Sequence, residues 1–336
     1  MPQRHVARAA VGSGVLLTGL LHAITPVGPS GWHWLHLVAE KLYLAPIVMA
    51  GAWLGPSGAF VTTAAASSLF AVHILRDWRG FEMVQAAQIA EMANFWIVGA
   101  VAAILFRHEH EAREATRTAH EETLTALAGS LDLREHYTAG HSRRVRDYAL
   151  VVAGQMGLRE TAFLTNLAQG ALLHDVGKIG IPDRILLKPG PLEAEERTTM
   201  RRHPEMGASL VGEIGWLRPA RALILAHHER YDGAGYPQGL AGAAIPLAAR
   251  IFTVADAFDA LTTNRPYHEA LSFEDAALKI KQGSGTQFDP DVTVAFLQVP
   301  FEAWARAAAG TDVTLRRQVS GEGQTRTVGS EPELTQ

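Results

Sequence analysis

Ala171-Leu-Leu-His-Asp-Val-Gly-Lys-Ile-Gly-Ile-Pro182 is the stretch on which the reading of this chain turns. An apolar run delivers His174 and Asp175 side by side, and Lys178 follows one helical turn after His174. A carboxylate has two oxygens and can bridge two cations, while the imidazole beside it binds one of them, so adjacent His and Asp suit a two-metal hydrolase. The pair alone is weak evidence, because His-Asp also occurs as a cap or a surface hydrogen bond. Its context decides.

That context supplies further ligands: His141, His203, the His227-His228 pair and Asp256. Each has an ordinary reading of its own. His141 can cap a helix beginning at Ser142, and His203 stands before Pro204 as a cap would. Asp256 lies within Ile251-Phe-Thr-Val-Ala-Asp-Ala-Phe258, an apolar helix in which an unpaired carboxylate is costly. Metal coordination is one of the few ways to stabilise it. Five imidazoles and two carboxylates without sulfur suit iron, manganese or zinc. The chain has no cysteine, which excludes disulfides, thiolate zinc sites and cysteine nucleophiles.

The sequence around these residues reads as helical throughout, with no run of alternating apolar residues. Val145, Ala149, Val152 and Met156 mark one buried face, and Gly157 ends that helix. Further helices are expected over Ala162–Leu173, Glu193–Gly212, Pro219–His228, Leu247–Thr262, Glu274–Gln282 and Val292–Ala308. The predicted fold class is all-α: a helical bundle over 127–309, preceded by four membrane helices. From 310 to 336 the chain is Thr, Gly, Ser, Glu and Arg with little to bury, the composition of a disordered tail.

Residues 1–106 carry four apolar segments, Ala9–Ile24, Leu35–Leu54, Ala59–Leu75 and Ala87–Phe106, each near the ~20 residues that span a bilayer. The first also fits a signal peptide, but three more apolar segments follow it at once. Pro26-Val-Gly-Pro29 and Gly55-Pro-Ser-Gly58 supply turns, and Trp32, Trp34, Trp53 and Trp78 sit near span ends. Arg4 and Arg8 before the block, and Arg107, Arg113 and Arg117 after it, place both ends in the cytoplasm. The expected location is the inner, cytoplasmic membrane, with lipid as a partner. His22, His36, Glu40, Lys41, His73, Glu91 and Asn94 are polar residues within or beside these segments. Two readings stand: hydrogen bonding between helices, or a sensory site for a metal, haem or quinone built from His36, Glu40, His73 and Glu91. Glu40-Lys-Leu-Tyr-Leu-Ala-Pro-Ile47 loosely resembles membrane sensor segments of some bacterial histidine kinases. Between the two blocks, 107–126 is a charged helical linker with Glu109–Arg113 and Glu114–Arg117 at ion-pair spacing, suited to a signalling helix that pairs in a homodimer.

Taken together, His174-Asp175-x-x-Lys178 and His227-His-Glu-Arg-Tyr-Asp-Gly-Ala-Gly-Tyr-Pro237 resemble the HD-GYP family, cyclic di-GMP phosphodiesterases of the HD phosphohydrolase superfamily. The likeness extends over about Leu127–Leu297. It includes Tyr137-Thr-Ala-Gly-His141, Leu187-Lys-Pro-Gly-Pro-Leu192, Asp256-Ala-Phe-Asp-Ala-Leu261, Asn264-Arg-Pro-Tyr267 and Gln287-Phe-Asp-Pro290. By this resemblance, His141, His174 and Asp256 hold one divalent metal, His203, His227 and His228 hold the other, and Asp175 bridges. Iron or manganese is the expected pair. Lys178 and Arg265 would contact phosphate, Asp259 would orient Lys178 or the substrate or remain a solvated carboxylate, and Tyr236 with Pro237 would stack on a guanine or merely shape the turn. Two departures from the family pattern matter. Tyr137 stands where members with a third metal carry Glu, which implies two metals, and His268 stands where a Lys often follows the Arg-Pro-Tyr block. The resemblance implies hydrolysis of cyclic di-GMP to pGpG, with GMP as a further product. A catalytically weak receptor and a hydrolase of another cyclic dinucleotide are the alternatives. A formal charge of -4 and the lack of a basic stripe argue against a nucleic-acid polymer as partner.

Overall fold

The computed structural model describes residues 4–25, 38–77, 82–134, 140–264 and 269–310. The expected tail thus lies almost wholly outside the described residues, as do His36, Tyr137, Arg265 and His268. The chain forms two compact units, Met1–Ala119 and His120–Gln336. Among the described residues helix is the regular structure of both, and the extended pairings are two isolated bridges, Asp232 with Ala241 and Ser284 with Phe288.

The first unit contains α1 (Arg4–Ile24), α2 (Leu44–Asp77) and the N-terminal part of α3 (Glu82–Arg134). Three helices among the described residues are long and apolar enough to cross a membrane, where four segments were expected. The difference lies at Gly55, inside α2, whose φ of 74° and ψ of -166° are not helical. A side chain would be strained at that positive φ, and Pro56 next to it has no N–H to donate. The halves on either side of this break meet each other. The Tyr43 and Phe70 rings pack edge to face with centroids 6.1 Å apart, and Gly99 of α3 abuts both Ile47 and Thr63, which are equidistant in sequence from Gly55. So α2 is a helical hairpin made of the second and third expected segments. Tyr43, Ile47, Ala66, Phe70, Ile74 and Phe95 form its buried core, while Leu16, Leu20, Phe60, Val72, Leu75 and Ile97 face outward.

The polar residues of this unit fall into two sets. His73 lies against His22, with ring centroids 4.1 Å apart. Lys41 hydrogen-bonds Glu91 and approaches Glu40 at 3.5 Å, and Asn94 donates to Glu91 at 2.8 Å. No cluster of three or more possible metal ligands forms in this unit among the described residues. Lys41 thus pairs with its neighbour Glu40 and, between helices, with Glu91, while the sensory-site reading also needs His36, which lies outside the described residues.

The second unit begins with the last turns of α3, which continues past the expected linker to Arg134. Leu124 is buried among Leu172, Leu173, Val176, Ala208 and Ile224, which ties this end of α3 to the unit. The expected ion pairs along the helix are present, Arg113 to Glu109 and Arg117 to Glu114, each at 2.6 Å. Next come α4 (His141–Gln155) and α5 (Thr161–Leu173), a short 3-10 turn (Val176–Gly180), α6 (Asp183–Leu186), α7 (Ala194–Met200), α8 (His203–Gly212) and α9 (Arg221–Ala226). The chain closes with α10 (Leu247–Thr262), α11 (Phe273–Gln282), α12 (Pro290–Leu297) and α13 (Phe301–Ala308). Two expected helices are each divided. Glu193–Gly212 breaks at Arg201-Arg202, just before His203-Pro204, because proline has no N–H to continue the helical bonding, and Val292–Ala308 breaks at Pro300, which also disfavours helix in the residue before it. A main core joins Val145, Tyr148 and Val152 of α4, Leu164 and Leu167 of α5, Phe252 and Phe258 of α10, and Trp304 of α13. The Leu124 cluster forms a second core. His174 leaves α5 where these two cores adjoin.

Candidate metal centre

The possible ligands stand mostly at helix ends. His141 begins α4, His203 begins α8, His174 follows α5, and His227 follows α9, while Asp256 lies within α10. Each helix is anchored by apolar residues behind its ligand, so the imidazoles are carried on packed scaffolds. Four of them are buried: His141, His174, His203 and His227.

All seven residues come together in two groups. The ligand atoms of His141, His174 and Asp256 lie within 4.8 Å of one another, and so do those of Asp175, His203, His227 and His228. Asp175 faces both groups. Its Oδ2 is 3.1 Å from His174 Nε2, and its Oδ1 is 3.3 Å from His203 Nε2 and 3.8 Å from His227 Nε2. On the other flank His141 Nε2 is 3.4 Å from Asp256 Oδ1.

Hydrogen bonds on the far side of each ring select the tautomer. His174 Nδ1 donates to the Ala171 carbonyl at 2.8 Å, His203 Nδ1 to Met200 at 2.8 Å, and His227 Nδ1 to Ile224 at 2.7 Å. A carbonyl only accepts, so the proton of each neutral ring is on Nδ1 and the Nε2 lone pair points inward. His203 Nε2 and His227 Nε2 then face each other at 3.1 Å. Two lone pairs at that distance repel unless a cation lies between them. This donor set fits a divalent metal, with hard-to-borderline ligands and tautomers already correct.

The charges agree with that fit. Burial alone would raise the Asp175 carboxyl, but His174 and Lys178 outweigh it and hold the group well below the usual carboxylate range. Burial, and then the neighbouring imidazoles, hold His227 well below its ordinary value and push His228 down to about 3. Both rings are therefore neutral at physiological pH. Burial opposes charge on His174 as well, but Asp175 overrides it and pushes the ring up to about 9. A cation bound at His174 Nε2 would compete with a proton for that site.

Lys178 is buried, and its Nζ donates to Asp175 Oδ2 at 2.7 Å. Asp259 does not orient Lys178 and is not solvated. It is 1% exposed and accepts from His141 Nδ1 at 2.7 Å and from Arg144 Nε and Nη2 at 2.6 and 3.0 Å. A carboxylate behind a ligand histidine fixes the ring and raises its basicity, so Asp259 supports His141 and is enclosed away from any substrate. The signal was in the spacing, since Arg144 lies three residues after His141 and Asp259 three after Asp256, one helical turn behind each ligand. Tyr236 stacks on His228 with centroids 4.7 Å apart, and the Arg201 guanidinium lies 5.0 Å over the Tyr236 ring. That contact ties the turn to His228. Arg265, the other expected phosphate contact, lies outside the described residues.

Two further residues hold the site and escaped sequence reasoning. A Cβ at Gly177 would collide with the His203 carbonyl oxygen and the Gly207 nitrogen, so only glycine lets the turn after Asp175 lie directly on the start of α8. Glu229, 1% exposed, accepts from the backbone N–H of Gln238 at 2.7 Å and of Leu240 at 3.0 Å. It thereby closes the loop that follows His228.

Comparison with known proteins gives a consistent account of this arrangement. Residues 126–292 match the family model of the HD domain. The chain is 44% identical over 179 residues to "Cyclic di-GMP phosphodiesterase response regulator RpfG" of Xanthomonas campestris pv. campestris, covering 53% of this chain and 47% of that protein. It is 39% identical over 206 residues to a "Cyclic di-GMP phosphodiesterase" of Vibrio cholerae serotype O1, covering 57% and 42%. It is also 36% identical over 172 residues to "3'3'-cGAMP-specific phosphodiesterase 3" of the same organism, covering 51% and 37%. The chain thus spans half or less of the length of these relatives. With the His-Asp pair at its centre and helices on every side, residues 126–292 of this chain are an HD domain.

Proposed function

We propose that this chain is a membrane-anchored, metal-dependent phosphodiesterase of the HD-GYP type that linearises cyclic di-GMP to pGpG, and that the same centre carries the product on to GMP. The observation that carries the reading is the inward Nε2 pair of His203 and His227 at 3.1 Å, beside a carboxylate whose two oxygens face two ligand groups. Two divalent ions, iron or manganese, would be held by His141, His174 and Asp256 on one side and by His203, His227 and His228 on the other. Such a pair, when bound, lowers the pKa of a shared water and offsets the charge of the phosphodiester. Asp175 would hold both sides in register. Lys178, anchored on Asp175, would present its ammonium to a phosphate oxygen, and Arg265 would do so from the other flank. Tyr236 would shape the wall on which a base rests.

In this reading residues 1–106 are a four-segment membrane region in the inner membrane, 107–126 a linker, 127–309 the catalytic domain and 310–336 a tail. The outward apolar surfaces of α1 and of the α2 hairpin support lipid as their surroundings, and the charged stretch of α3 is the candidate surface for homodimer pairing. Tyr137, in place of a third-metal Glu, supports two metals per chain, which elemental analysis would count. A second reading, hydrolysis of a mixed-base cyclic dinucleotide, is favoured by the relative named for 3'3'-cGAMP. A receptor without turnover is disfavoured, because no expected ligand is missing from the centre.

The test uses the full chain in detergent micelles, loaded with Mn²⁺ or anaerobically with Fe²⁺. Cyclic di-GMP, 3'3'-cGAMP and cyclic di-AMP are supplied in parallel and the products separated. Turnover of cyclic di-GMP that disappears in Asp175→Ala is the expected result. Preference for 3'3'-cGAMP would transfer the assignment to the second reading, and binding without turnover by the metal-loaded protein would overturn the enzyme.

A further inference from the structure

The last turn of α3 reaches the centre from behind at two places. Arg134, its final residue, donates from Nη1 to the Lys178 carbonyl at 3.1 Å and from Nη2 to the Ile181 carbonyl at 2.9 Å. Its Nε and Nη2 also meet Asp183 Oδ1 at 3.1 and 2.7 Å. Two residues earlier, buried Asp132 accepts from Ser142 Oγ at 3.0 Å, and Ser142 follows His141. A single helical turn therefore holds both the loop that carries Asp175 and Lys178 and the start of the helix that carries His141.

The chemistry of the grip is specific. The 3-10 turn ends at Gly180; the Lys178 carbonyl already accepts the Ile181 N–H at 3.0 Å, and Arg134 adds a second donor to it and one to the Ile181 carbonyl. A planar guanidinium presents several N–H groups in a fixed fork and can satisfy two carbonyls and a carboxylate at once, whereas an ammonium is a point charge on a flexible stem. The side chain of Lys178 points the other way, onto Asp175 at 2.7 Å. One residue thus has its carbonyl held by Arg134 and its ammonium placed in the centre. Beside the grip lies a cavity of about 210 Å³, lined by Leu127, Leu131, Leu172, Val176 and Ile179. Apolar packing between α3 and the start of this loop is made by Leu124 against Val176, while beside the cavity the hydrogen bonds of Arg134 tie the end of α3 to Lys178 and Ile181.

We propose that Arg134 is a positioning residue for Lys178 and Asp175, through which the end of α3 sets the geometry of the centre. The kinetic part of this proposal rests on the phosphodiesterase reading, but the structural part does not. Three variants of the full chain in micelles test it: Arg134→Ala, Arg134→Lys and Asp183→Asn. Amide hydrogen exchange over 176–183 in metal-free protein, Mn²⁺ binding followed by electron paramagnetic resonance, and the kcat and KM for cyclic di-GMP are measured on each.

Arg134→Ala and Arg134→Lys are expected to exchange faster over 178–183 and to lose about tenfold in kcat or Mn²⁺ affinity, the usual scale for a partner behind a metal ligand. KM should change little. Added guanidinium should restore part of the activity of the Ala variant. Asp183→Asn, which leaves both carbonyl bonds in place, should match the parent. Unchanged exchange and kcat in Arg134→Ala, or full rescue by Lys, would overturn the proposal. If Arg134→Ala fails to fold, Arg134→Lys, which keeps the charge and most of the volume, decides. If the parent cleaves no cyclic dinucleotide while the exchange and Mn²⁺ results hold, the substrate assignment falls and the positioning role stands.

Discussion

Replacing Asp259 with Asn would test the hydrogen-bond logic of the whole centre by changing one atom. The Asp259 carboxylate accepts three N–H groups, one from His141 Nδ1 and two from Arg144. An amide of the same shape has one acceptor and one donor. If its oxygen takes the Oδ1 position on Arg144 Nε, its NH₂ takes the Oδ2 position and faces both the His141 Nδ1–H and an Arg144 Nη2–H, donor against donor, and the ring must move its proton to Nε2. That proton occupies the lone pair through which His141 would bind a metal. Arg144, with about a fifth of its side chain exposed, meanwhile loses the charge that balances it. Breaking a buried pair by removing one partner costs about 3–5 kcal/mol. Taking ~3 kcal/mol, and 2–4 °C per kcal/mol for a domain of this size, the melting temperature should fall by roughly 6–12 °C.

Metal affinity should fall by about tenfold or more on the His141, His174 and Asp256 side, while the other ion is retained. Elemental analysis after dialysis reads the second effect, and thermal unfolding reads the first. The pH dependence adds a third check. Burial works to raise the Asp259 carboxyl, but His141 and Arg144 outweigh it, so its folded pKa lies below the ordinary value. Such a group stabilises the fold above its unfolded pKa, near 3.9, and loses that contribution as pH falls through the folded one. The Asn variant should lack this part of the acid-induced loss of stability. An Asn variant with both ions at parental affinity and an unchanged melting temperature would refute the role assigned to Asp259.

Two further outcomes follow from the backbone. Gly177→Ala places a Cβ against the His203 carbonyl oxygen and the Gly207 nitrogen, neither of which is the end of a flexible side chain. A cost of about 3 kcal/mol and partial loss of the bound metals are expected; a melting temperature within about a degree of the parent would show that the turn can move aside. Glu229→Gln leaves one acceptor for two backbone donors, so the amides of Gln238 and Leu240 should exchange about tenfold faster by mass spectrometry or NMR. Equal protection in both proteins would show that this carboxylate does not hold the loop.

The candidate ligands were legible because each stood out locally: a His-Asp pair, a His-His pair, and a carboxylate in the apolar run of α10. The helices were legible where their faces were periodic, as in Leu247–Thr262, whose limits agree with the structure. Breaks were harder. Around His203 the periodicity runs on while the backbone turns, and the proline that divides the stretch also begins the next helix. The supports of the site were least legible. Arg134 acts across a separation of 44 residues on a carbonyl group, and carbonyls are the same at every position. The tautomers of His174, His203 and His227 are likewise set by main-chain oxygens. Gly177 is one glycine among 31, and only its contact with α8 distinguishes it. In the apolar N-terminal unit, Gly55-Pro56 read correctly as a turn, but the sequence could not show that His73 would lie against His22.

The closed loop after His228 has a consequence for turnover. With both oxygens of a buried carboxylate committed to the backbone of Gln238 and Leu240, the segment from Arg230 to Leu240 is held as a wall that is already formed. A ligand that docks on a preformed wall forfeits little conformational freedom of the protein, so more of its contact energy remains as affinity. On the proposed phosphodiesterase reading, no opening of this segment would be needed for entry or product release. Turnover at this wall would, on the same reading, be governed by how strongly the cleaved phosphates are held, and a change of rate with temperature should report chemistry or desorption in place of loop opening.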